Sequence, residues 1–81
     1  MKLIVSLNDE IVCNCNASSV STKTSNGKLE ILDKHRPLMA QIKEFLQYKD
    51  RQNNTHEITF DDGFLYIDGL HAHAVLRYCN K

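Results

Sequence analysis

The chain has 81 residues, with ten Lys and Arg balanced against ten Asp and Glu, so no net field steers it to nucleic acid or anionic lipid. Six aromatic residues and no Trp leave no stacking platform interleaved with basic residues for single-stranded nucleic acid. The length implies one domain with a small core, of the kind a stable partner helps to hold.

Residues 2–7 (KLIVSL) form an apolar run suited to a buried strand. The pair Asn8-Asp9 reads as a turn, and residues 10–15 (EIVCNC) as the returning strand. There the two-residue period puts Ile11, Cys13 and Cys15 on one face. Residues 18–24 (SSVSTKT) alternate Val20, Thr22 and Thr24 against Ser19, Ser21 and Lys23. Asn26-Gly27 is a hairpin signal, followed by alternating Leu29, Glu30 and Ile31, and then by Pro37, the only proline. Residues 38–48 are ambiguous. Leu38, Met39, Ile42, Phe45 and Leu46 fit helical spacing, and two short strands with a bend compete with that reading. Residues 49–55 (KDRQNNT) read as a polar turn, 57–60 as a strand, Asp61-Asp62-Gly63 as a turn, and 64–67 as a strand. Asp68-Gly69 is a further hairpin signal, and 71–78 close the chain. Short strands at regular spacing predict an all-β sandwich or barrel.

No apolar run reaches transmembrane length. The N-terminus turns polar too soon for a signal peptide, which leads to the expectation of a cytosolic or organelle-matrix location. Three cysteines suggest no disulfide framework and remain thiols in a reducing compartment.

Several constellations invite chemistry. His71 and His73 point to one face of a strand and, with Cys79, offer three zinc ligands. Cys13 and Cys15 offer two thiolates. The plainer reading makes the cysteines small core residues and the histidines exposed strand residues. A Cys/His nucleophilic pair lacks an orienting group and an oxyanion loop. Asp61 and Asp62, being adjacent, cannot share a proton. The glycines Gly27, Gly63 and Gly69 all read as turn glycines, so no phosphate loop is present. Lys28, Lys34, His35 and Arg36 make a small basic cluster, read either as solvated loop or as a docking patch. No catalytic residue, metal site or cofactor is expected.

Taken whole, the chain resembles the N-terminal β-sandwich of the epsilon subunit of rotary ATP synthases, called delta in mitochondria. MKLIVSLNDEIVCNC resembles the family's first hairpin. NGKLEILDKHRPLMAQIK resembles its run of Glu-Gly, Leu-Gly-Ile-Leu and Pro-Gly-His-x-Pro-Leu-Leu, with Gly27, Leu29, Ile31, Leu32, His35, Pro37 and Leu38 on matching positions. DDGFLYIDG resembles its Gly-Gly-Phe-Leu-x-Val, where Gly63 and Phe64 match and Asp62 replaces a glycine. AVLR resembles the closing strand. The family's Pro-Gly before His is Asp33-Lys34 here, and an often acidic position is Lys28.

The resemblance implies a flattened ten-stranded β-sandwich, spanning residues 1–81 as one domain, with strands over 38–48. The C-terminal helical hairpin, which in the family can inhibit ATP hydrolysis, is expected to be absent. Ile31 to Arg36 mimics an ATP-binding string of those helices but falls in the sandwich, a coincidence. The implied role is a non-catalytic rotor subunit that binds the gamma shaft and touches the catalytic head only indirectly. Ser25, Asn26, Gly27, Lys28 and Leu29 would face the proton-carrying membrane ring; His35, Arg36, Pro37 and Leu38 would face the shaft. Nucleic acid and direct lipid insertion are not implied, and the place would be peripheral, on the cytoplasmic or matrix face of the membrane. A small metal-binding or adaptor β domain, or a related motor ATPase without the ring contact, are the competing readings.

Overall fold

Two tight turns set the architecture. Asn8 and Asp9 both take positive φ, 49° and 69°, the two-residue hairpin geometry that matches strand twist. They join β1 (Lys2–Leu7) to β2 (Glu10–Thr24). The second turn is Ser25-Asn26, one residue earlier than the Asn26-Gly27 signal suggests. Gly27 opens β3 (Gly27–Leu32) opposite Thr24 and supplies the left-handed φ of 114°. The Thr24 hydroxyl holds the turn, donating to the Gly27 carbonyl at 2.9 Å and accepting from the Asn26 N–H at 3.1 Å. The remaining strands are β4 (Leu38–Asp50), β5 (Thr55–Ile67) and β6 (His71–Arg77). The structure is a computed structural model, and it describes residues 1–32 and 36–79.

The strands form one sheet in the order β1-β6-β5-β4-β2-β3, and an additional β1–β2 pairing closes it on itself. All pairs are antiparallel except β1 with β6. The first half of β2 pairs with β1, and its second half lies between β4 and β3. The result is all-β, with no helix among the described residues and a flattened outline of 36 × 26 × 19 Å.

Against the expected ten strands, there are six among the described residues. The difference lies in β2, β4 and β5, of 15, 13 and 13 residues, which run unbroken through β-bulges. A bulge inserts an extra residue, bends the strand and shifts its phase. In β2 the extra residue is Ser18: Ala17 faces inward before it, Val20 and Thr22 after it. In β5 it is Asp61, with Phe60 buried before it and Gly63, Leu65 and Ile67 after it. Asp61-Asp62-Gly63 is therefore continuous strand, and Gly63 is no turn glycine. In β4 the irregularity sits at Glu44, with φ 73°. There the buried Thr22 hydroxyl donates to the Phe45 carbonyl at 2.7 Å, and a buried carbonyl left without a donor would cost about 1–3 kcal/mol.

The bends fold the sheet around one apolar core. Leu3 and Val5 of β1, Val20 of β2, Ile31 of β3, Ile42 and Leu46 of β4, Leu65 of β5 and Ala72 of β6 are all essentially inaccessible. The competing helical reading of residues 38–48 is excluded, since β4 pairs with β5 from Leu38 to Lys49.

The β4–β5 turn carries an acid-sensitive contact. Asp50 accepts from the N–H groups of Gln52 and Asn54 at 2.9 and 3.0 Å, and its other oxygen lies 3.0 Å from His56 Nε2. The His56 contact, then the Asn54 N–H, hold the Asp50 carboxyl below its ordinary 3.8. A carboxylate lowered in the folded state stabilises above its unfolded pKa, and that contribution is lost as pH falls through the folded value. Asn at position 50 keeps the acceptor for the turn amides but not the charge. Between about pH 5 and about pH 2 the parent should therefore lose more melting temperature than Asp50→Asn, measured by circular dichroism.

Candidate docking surface

Alternation along β4, β5, β6 and β1 gives each strand a second face, turned away from the core. Register aligns these outward residues in two rows: Met39, Tyr66, His73 and Ile4 in one, Gln41, Phe64, Val75 and Ser6 in the other. Met39, Phe64, Tyr66 and Val75 are 62, 51, 52 and 50 % exposed. Register makes them cross-strand or same-strand neighbours in turn, Met39 to Tyr66, Tyr66 to Phe64 and Phe64 to Val75, so they form one apolar patch in mid-sheet and not scattered surface residues. Polar groups rim it. At one end Arg77 grips Asp62 through two hydrogen bonds, 3.1 and 2.6 Å, beside a 510 Å³ groove that reaches Asn8, Gln41, Phe64 and Val75. Apolar centre, aromatic content and polar rim are the anatomy of a protein interface.

The hairpin tip makes a second feature. Ser25, Asn26, Lys28 and Leu29 line a shallow 420 Å³ groove together with Leu38, Ala40 and Gln41. The structure thus brings together residues of both sets singled out in the sequence, through Leu38. Arg36 and Pro37 are exposed, and His35 lies outside the described residues, as does Lys34. The basic cluster has a further part that the sequence did not suggest. Lys28, Lys23 and Lys43 are opposite one another across β3, β2 and β4. Glu44 pairs with Lys23 at 2.9 Å, and that contact lowers the Glu44 carboxyl.

The set of His71, His73 and Cys79 does not assemble. His71 and His73 share the outer face of β6, whereas Cys79 lies past its far end, its N–H donating to Asp61 Oδ2 at 2.6 Å. Among the described residues no three His, Cys, Asp or Glu side chains are placed to hold a metal ion. Cys13 and Cys15 face inward and pack half-buried against the core. Ile11 does not share their face. The bulge that skips Val12 in the β1–β2 register leaves Ile11 68 % exposed.

The apolar patch is the site that motif reading missed. Its signal was present: Phe64-Leu65-Tyr66-Ile67 is apolar at every position. A strand with one face on a core and one in water alternates instead.

Comparison with known proteins places this geometry. No curated protein matches the chain significantly by sequence. Among solved structures, the fold is similar to a chain of the Euglena gracilis mitochondrial ATP synthase OSCP/F1/c-ring structure in rotational state 1, with a TM-score of 0.84 at 15 % identity. That match covers 91 % of this chain and 48 % of the other. It is also similar to a chain of the Tetrahymena thermophila mitochondrial ATP synthase central stalk/c-ring, with a TM-score of 0.77 at 13 % identity. Here 95 % of this chain and 63 % of the other are covered, so the chain spans about half to two thirds of these relatives. At such identities the likeness speaks for the fold. The sequence itself matches the family model for the β-sandwich domain of the ATP synthase delta/epsilon chain over residues 1–73, and the chain belongs to that family.

Proposed function

We propose that the chain acts as a non-catalytic rotor element of a rotary ATP synthase or ATPase, coupling the gamma shaft to the membrane ring. The observation that carries the proposal is the apolar patch of Met39, Phe64, Tyr66 and Val75 on a domain of this family. A shaft built as a coiled coil offers a long helical surface, and a flat sheet face with an aromatic centre can seat against it. Arg36 and Pro37, just ahead of β4, adjoin the Met39 end of that face on the shaft side, with Leu38 packed inward beside them.

The hairpin tip, Ser25 to Leu29, is free to rest on the polar loops of the ring. Its Lys28–Lys23–Lys43 row suits an acidic or polar counter-surface. The closed sheet transmits force because its inter-strand hydrogen bonds act in parallel against shear. No step of bond making is assigned to it, and the catalytic head is reached only through the shaft. No helix contributes to the role assigned here. The place is peripheral, on the cytoplasmic or matrix face of the energy-coupling membrane.

The test is an affinity pull-down of tagged chain from gently solubilised native membranes, read by mass spectrometry. Recovery of ATPase catalytic subunits, a coiled-coil shaft and the membrane ring is the expected result. Shaft and catalytic subunits without a ring, under equally mild extraction, would instead favour a motor ATPase lacking the ring contact. An intact ATPase in the preparation with none of its subunits recovered would overturn the rotor role.

A further inference from the structure

Where the first half of β2 faces the second half of β4, two thiols lie together. Cys13 and Cys15 stand two residues apart on β2, opposite Val5 and Leu3 of β1, and both turn toward the interior. Their sulfurs are 3.3 Å apart. Tyr48 of β4 lies close by, and the Cys13 thiol holds its hydroxyl above the ordinary tyrosine range. Behind it His56 stacks on the Tyr48 ring, with centroids 4.9 Å apart, and turns Nε2 to Asp50. The family reading gives this arrangement no task.

We propose that Cys13 and Cys15 form a two-thiolate clamp for a soft monovalent metal ion, copper(I) by preference. Soft thiolate donors select such ions. A structural zinc site takes four protein ligands, and no third His, Cys, Asp or Glu joins this pair among the described residues. A disulfide fits less well. Extended backbone separates alternate Cα atoms by roughly 6.6 Å with side chains parallel, the far end of the disulfide range of about 4.4–6.8 Å. A bridging metal relieves that limit. Taking the zinc–thiolate length of about 2.3 Å as a guide, the sulfurs would stand up to roughly 4.6 Å apart, about 1.3 Å wider than their present separation. On binding, two S–H bonds release two protons and two metal–sulfur bonds form, with no change of oxidation state. The bis-thiolate carries one net negative charge. Both cysteines are partly buried, so the two metal–sulfur bonds must also offset the cost of desolvating that charge.

The experiment uses the reduced full chain without oxygen, mixed with copper(I) held by the coloured chelator bicinchoninate. The parent should withdraw one copper per chain, and so should Cys79→Ser, whose cysteine lies elsewhere. Cys13→Ser and Cys15→Ser should each withdraw none. Copper left on the chelator by the parent, or serine variants at 13 or 15 that compete as well as the parent, would overturn the proposal. Should either serine variant unfold by circular dichroism, X-ray absorption of the copper-loaded parent decides. Two sulfur neighbours support the clamp; nitrogen or oxygen neighbours, or a third sulfur, overturn it. The readout needs no ATPase and is independent of the rotor role.

Discussion

Gly63→Ala should melt roughly 10–20 °C below the parent, the largest loss expected of any one-methyl change in this chain, taking about 2–3 kcal/mol for overpacking and about 4–8 °C per kcal/mol at this size. Gly63 sits in β5 opposite Leu76 of β6. A Cβ there would fall on the Val75 carbonyl oxygen and stand 2.9 Å from Leu76 Cδ2 and 3.1 Å from Leu76 Cα. The leucine tip can rotate away, but the backbone cannot. β6 is pinned on both edges, by β5 and by β1, so its carbonyl yields only if a ladder shifts. Gly27→Ala makes the contrast. Nothing lies within 4 Å of its would-be Cβ, and only its φ of 114° resists a side chain. That strain costs about 1 kcal/mol or slightly more. Thermal unfolding of both variants by circular dichroism separates the causes. A Gly63→Ala protein melting with the parent would show that β5 and β6 do not approach so closely.

Gly63 also shows where the sequence ceases to be legible. Asp-Asp-Gly has turn composition, and only long-range packing reveals a bulge at Asp61 followed by a glycine pressed under a neighbouring strand. The ambiguity of residues 38–48 has a related cause. Leu38, Ile42 and Leu46 point to the core, whereas Met39 points outward and Phe45 sits in the bulge. Merged into one string, two faces and an insertion imitate the three-and-four spacing of a helix. Where no bulge intervenes, the period read correctly: Val20 and Thr22 against Ser19 and Ser21, and the turn at Asn8-Asp9. All-β character, the hairpins and the family pattern were therefore legible. The joining of short segments into long bent strands was not, because a bulge has no reliable local signature.

The site was legible in a different proportion. The tip and Leu38 were named by motif position, and the structure gathers Ser25, Asn26, Lys28, Leu29 and Leu38 around one groove. The apolar face was not named, because motif reading follows the residues that mark a family in one dimension. Met39 belongs to β4, Phe64 and Tyr66 to β5, and Val75 to β6. Their contiguity exists only after the register of three strands is known.

That face carries the second large effect. In Phe64→Thr with Tyr66→Thr, affinity for the coiled-coil shaft should fall about a thousandfold, at about 2 kcal/mol or more for each central aromatic and 1.4 kcal/mol per tenfold. Threonine keeps a strand-favouring, β-branched side chain, and both positions are already half exposed. The isolated domain should therefore melt within a few degrees of the parent. Gln47→Ala is the matched control. It breaks an exposed hydrogen bond of 2.7 Å to Glu57 on the other half of β4 and β5, away from the patch, and should leave shaft binding unchanged. The measurement is a titration of the recombinant shaft against each variant, with melting curves taken on the same samples. Loss in the double variant alone assigns the shaft to the β4–β5–β6 face. Equal affinity for the double variant and the parent would move the shaft contact elsewhere, leaving the hairpin-tip groove beside Leu38 as the surface to be altered next.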